Sequence, residues 1–159
     1  MSKYEEVDEI LKSVDAFVDG GQPETIVTSA EAKLGLVFPT TFRKYLLKWD
    51  NVSFGALEYY GLTSNADFDN ASVPNSIWFT LRKRGDVGLP SDLVVFRISN
   101  DKEYMCIRGT SSQEEGEQVV IWDNVEREIS QVIDTSFIDY LRAGATAGLP
   151  SSALRWAWV

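Results

Sequence analysis

The sequence predicts an α+β fold, an antiparallel sheet of about four to six strands packed with helices mainly on one face. Three observations predict it. Residues 1–50 carry apolar side chains at helical spacing with capping signals, residues 93–132 fall into four short apolar runs separated by turns, and a last helical stretch follows near residue 137. The turn Ser99-Asn100-Asp101-Lys102 between the first two runs is too short for a parallel crossover, so these strands pair antiparallel.

Each element has its own warrant. Ser2 and Glu5 are spaced as a capping box, Tyr4, Val7, Leu11, Val14 and Val18 form an apolar stripe behind them, and Gly20-Gly21 is the expected stop. Thr28 stands three residues before Glu31, which predicts a second, short helix from Thr28 to Gly35. A third helix follows Pro39, with Phe42, Tyr45, Leu46 and Trp49 at i, i+3, i+4 and i+7. A strand is expected over residues 55–60, and a helix from Asn75 to Arg84 opened by Pro74. Strands are then expected at Leu93–Ile98, Tyr104–Arg108, Gln118–Trp122 and Glu128–Val132, with a closing helix near Thr135–Ala143 that ends at Gly144. The aromatic tail from Ala153 to Val159, with Trp156 and Trp158, is expected to dock on the sheet or on a neighbouring subunit. With 159 residues, no internal repeat and no low-complexity linker, residues 1–159 read as one domain.

Composition prunes the chemistry. There is no histidine, which removes His-based triads, His-ligated metals and the usual general base near neutral pH. Cys106 is the one cysteine and lies in the apolar run Tyr104-Met105-Cys106-Ile107, so it reads as a buried structural thiol, and neither a disulfide framework nor a cysteine metal site is expected. None of the 11 glycines fits a phosphate-loop or dinucleotide spacing, and no cofactor is expected. The net charge of −9 disfavours nucleic-acid backbones and anionic membranes and favours a basic partner. A polar, acidic N-terminus and the lack of a long apolar stretch lead to the expectation of a cytoplasmic protein.

Several clusters were weighed for function. Asp67-Phe68-Asp69 opens like a calcium loop, but Ser72 and Trp78 stand where Gly and Glu are needed. Arg82-Lys83-Arg84 suits a phosphate or acidic partner, and equally suits the end of a helix. Asp67, Asp69, Asp101, Glu103 and Asp123 could supply a carboxylate enzyme if they converged in a cleft, or could be a solvated acidic surface. For binding, Glu114, Glu115 and Glu117 followed by Trp122-Asp123 combine charge for steering with an aromatic anchor; Asp101 and Glu103 join them as candidates. The competing reading is a solvated loop beside a core tryptophan.

The stretch Glu31-Ala32-Lys33-Leu34-Gly35-Leu36-Val37-Phe38-Pro39, continued by Phe42-Arg43-Lys44-Tyr45-Leu46 and Asn51, resembles the N-terminal signature of the SUKH superfamily, the Smi/Knr-type domain. Leu93-Val94-Val95-Phe96, Tyr104-Met105-Cys106-Ile107, Gly116 through Asp123 and Ser136-Phe137-Ile138-Asp139-Tyr140-Leu141 resemble later segments of that family in the same order. The resemblance covers about residues 24–142. It departs at Asn51-Val52-Ser53-Phe54-Gly55, where the family often has Asn-Gly. It implies a SUKH-like α+β domain without enzymatic activity, used in bacteria as an immunity protein that binds and neutralises a cognate toxin, often a nuclease. Fungal relatives are linked instead to regulation of cell-wall synthesis, so a regulatory or scaffolding protein is the alternative it implies.

Overall fold

The structure, a computed structural model, describes residues 1–63, 67–109, 116–134 and 136–149. Helix α1 (Lys3–Ser13) opens with the expected capping box, the Ser2 hydroxyl accepting from the Glu5 N–H and the Glu5 carboxylate from the Ser2 N–H. It stops well before Gly20. Asp15 takes a left-handed φ of 53°, which Asp tolerates better than most residues, and turns the chain into β1 (Phe17–Val18). The i, i+4 spacing of Val14 and Val18 imitates one more helical turn; both pack against the same core from a non-helical path.

Helix α2 (Glu24–Leu34) begins four residues earlier than Thr28, behind Pro23. The Thr28 and Glu31 side chains are turned to another task. Arg43 of α3 (Thr40–Lys48) donates to Thr28 Oγ1 at 3.2 Å and to Glu31 Oε1 at 3.2 Å, while Glu31 Oε2 accepts from the Phe38 N–H at 2.8 Å. The expected strand after α3 is a hairpin, β2 (Val52–Phe54) and β3 (Leu57–Tyr59), turning at Gly55 with φ 56°. With β1 it forms a small antiparallel sheet in the order β1-β2-β3.

Helix α4 (Ser76–Val87) is capped by Asn75, whose side chain accepts from the Ile77 and Trp78 N–H groups, and ends at Gly88 in the left-handed region. Strands β4 (Leu93–Ile98), β5 (Glu103–Arg108), β6 (Val119–Asp123) and β7 (Glu128–Asp134) then make a second antiparallel sheet in sequence order. Helix α5 (Phe137–Ala147) starts at the Ser136 cap and runs through Gly144 to Gly148. Gly144 is a contact point and not a stop, because a Cβ there would sit 2.3 Å from the buried Tyr59 hydroxyl.

Both faces of the four-stranded sheet are buried, which is why its strands read as unbroken apolar runs. On one face Val94, Phe96, Met105, Ile107 and Val119 join α1, α2, α3, α5 and the small sheet, around the rings of Phe42, Tyr45, Tyr59 and Phe137. On the other, Leu93, Val95, Tyr104, Cys106, Val120 and Trp122 pack with Phe79 of α4. The fold is the expected α+β arrangement, with two antiparallel sheets of three and four strands and four of the five helices on one side.

Candidate functional site

The register of the larger sheet decides which acidic residues stand together. Glu103 pairs with Asp123 across β5 and β6, and Asp123 with Glu128 across β6 and β7, so three carboxylate positions form one row across three strands. The turns at that end add Asp101 and Glu126. Against these five acids stand Lys102 and Arg127, leaving this end of the sheet anionic.

The members of the row are held differently. Asp123 is 6% exposed and acts within the turn: its Oδ1 accepts from the Val125 and Glu126 N–H groups, both at 2.9 Å, and Lys102 Nζ lies 3.5 Å from Oδ2. The hydrogen bonds from the Glu126 and Val125 N–H groups, with the nearby Lys102 ammonium, hold its carboxyl below the usual carboxylate range. Glu103 accepts from Asn100 Nδ2 at 3.1 Å and keeps partial exposure, whereas Asp101, Glu126 and Glu128 are exposed. Like charges directly opposite one another across strands are unfavourable, so the row is a feature that the sheet tolerates and does not need.

The other candidates lie elsewhere. β6 separates Glu117 from Asp123, six residues or roughly 20 Å of extended strand apart. Glu117 is part of the frame: Oε1 accepts from the Thr41 N–H at 2.7 Å, and Oε2 from Thr41 Oγ1 at 2.6 Å and the Phe137 N–H at 3.2 Å. Thr41 Oγ1 in turn accepts from the Ile138 N–H at 3.1 Å. One carboxylate thus satisfies free N–H groups at the starts of both α3 and α5. Trp122 is 4% exposed among Phe79, Tyr104 and Ile129, and its Nε1 has no hydrogen-bond partner. Glu114 and Glu115 lie outside the described residues, as does the Trp156/Trp158 tail. Sequence reasoning missed Glu126 and Glu128; the signal was available, because a four-residue turn after Asp123 places Glu128 opposite it.

The remaining chemistry-bearing residues are engaged singly. Asp67 accepts from Asn70 Nδ2, and Asp69 pairs with Lys33 at 2.8 Å. Arg82 stacks on Trp78, Lys83 lies over Phe79 and Tyr104, and Arg84 donates to the Leu34 and Ser91 carbonyls. Cys106 is buried, and burial pushes its thiol far up. Among the described residues no group of three or more Cys, Asp or Glu could hold a metal ion, and no helix is long and apolar enough to cross a membrane.

A family model described as SUKH_5, SMI1-KNR4 cell-wall, matches residues 4–144. The chain belongs to the SUKH family. The match takes in α1, which the sequence resemblance left outside, and closes within α5. A crystal structure of a protein from Pseudomonas syringae pv. tomato is similar at 17% identity and a TM-score of 0.54, covering 80% of this chain and 90% of that one, a likeness of fold. No curated protein matches the sequence. Family membership supports a non-catalytic SUKH domain.

Proposed function

We propose that this SUKH protein is a non-enzymatic binding protein of the immunity type, which captures a basic toxin domain, such as a nuclease, and blocks it. The observation that carries this reading is the carboxylate row at one end of the larger sheet, where Glu103 and Glu128 flank the turn-bound Asp123 and Asp101 and Glu126 extend the charge. A domain that must hold nucleic-acid phosphates is cationic, and an anionic surface competes for those same cations. The net charge of −9 adds long-range steering, which speeds capture. Glu117, Trp122 and Asp123 serve this surface from behind, by fixing helices, sheet and turn; Glu114 and Glu115 belong to the proposal by charge alone.

The regulatory alternative has one observation in its favour, the cell-wall description of the matching family. Capture from native lysate with the tagged full chain, at low and moderate salt, separates the two. A single stoichiometric partner with a basic domain whose activity the protein abolishes is the expected result. Retention of cell-wall synthesis or signalling proteins alone would replace the immunity reading with the regulatory one.

A further inference from the structure

On the three-stranded sheet lies a second surface of different character. β1 is its edge strand, and Phe17, the exposed aromatic residue among those described, is 59% exposed there. A groove of about 560 Å³ opens beside it, floored by Leu11, Ala16, Val18 and Trp49 and walled by Lys12 and Lys48. Asp8 at its edge is already engaged, accepting from Trp49 Nε1 at 3.0 Å and pairing with Lys12 at 2.9 Å. Two charges are left over. Asp15, two residues before Phe17, and Lys48, stacked on Trp49 at 5.6 Å, are both exposed and have no ion-pair partner among the described residues.

We propose that two copies of the chain associate through this surface about a two-fold axis, each inserting Phe17 into the other's groove. A two-fold contact requires one patch to carry both the knob and the hole, and here an exposed phenyl ring stands on the rim of an apolar groove of ligand-accommodating size. The same rotation that exchanges the rings brings Asp15 of each copy toward Lys48 of the other, so the unpaired charges complement one another. Lysines on the groove wall make this surface unsuited to the basic partner that the carboxylate row would take, which leaves that row free in the dimer.

Sedimentation velocity on the full chain, over a concentration series reaching about 1 mM, tests the proposal. The wild type is expected to shift from monomer to dimer, and Phe17→Ser to stay monomeric where the wild type is at least half dimeric, with an unchanged circular dichroism spectrum. Asp15→Asn and Lys48→Gln are each expected to weaken association about three- to tenfold, two exposed ion pairs being lost at once. The double variant should be no weaker than either single one, since both remove the same pairs. A wild type that stays monomeric throughout, a dimer that Phe17→Ser leaves intact, or fully additive effects of Asp15→Asn and Lys48→Gln would overturn it.

Discussion

At one end of β6, Glu117 commits both carboxylate oxygens to the N-termini of α3 and α5; at the other, Glu103 and Glu128 flank Asp123 and keep part or all of their surface for solvent. The residues are chemically alike and lie close in sequence. What separates them is the supply of donors. Two helix starts converge near Glu117 and offer N–H groups that water or a carboxylate must satisfy, whereas at the far end the turn N–H groups are satisfied by Asp123 and nothing is left for its neighbours. Acidity in this protein therefore has two uses, holding the frame and displaying charge, and exposure together with hydrogen-bond supply tells them apart.

The sharpest way to break this comparison is to remove Glu117. Glu117→Ala leaves two backbone N–H groups and the Thr41 hydroxyl without their acceptor and should cost about 2–4 kcal/mol in urea unfolding, with Glu117→Gln recovering part of it. A loss below about 0.5 kcal/mol would place Glu117 among the displayed acids.

A second tied-in carboxylate sharpens the comparison through pH. Asp50 is fully buried and accepts from Gln22 Nε2 at 3.0 Å and from the Leu62 and Thr63 N–H groups at 2.6 and 2.9 Å. Burial pushes its carboxyl up despite these bonds. A raised folded-state pKa makes the protonated form the favoured one, so this contribution is fully present below the unfolded value of about 3.9 and is lost as pH rises through the folded value. Relative to Asp50→Asn, which keeps the left-handed φ of 63° tolerable, the wild type should gain stability as pH falls from neutral through that window. The slope cannot exceed one proton, about 1.4 kcal/mol per pH unit. Urea midpoints of the two proteins at several pH values check the sign; Asp8, held low by the Trp49 indole N–H and then by Lys12, should show the opposite one in Asp8→Asn.

The smallest effect on stability belongs to the displayed row. Glu103→Gln with Glu128→Gln removes like-charge neighbours and should leave the unfolding free energy within about 0.5 kcal/mol of the wild type, or slightly raise it. A loss of 2 kcal/mol or more would mean that the row is structural as well.

Most of the larger sheet and the capped starts of α1 and α5 were legible in sequence, because apolar runs, the Ser2–Glu5 spacing and short turns are local signals. The β1–β2 pairing was not. It depends on Asp15 turning the chain, and no local pattern distinguishes that from one more turn of α1. The candidate site was half legible for the same reason. Asp101, Glu103 and Asp123 meet through a hairpin register that turn lengths imply, while Glu117 reaches Thr41, 76 residues away in sequence, and only the folded chain shows that contact. Trp122 could not be placed inside or outside from its strand alone, since both faces of that strand are buried.

The central claim is that the carboxylate row meets a cationic partner. Its most direct test is the association rate of the captured basic partner with the wild type and with Glu103→Lys/Glu128→Lys, at low and high salt. The account predicts a rate at least about tenfold lower for the variant at low salt, converging with the wild type at high salt as the charges are screened. Equal rates at low salt, with the variant folded as the wild type is, would contradict it.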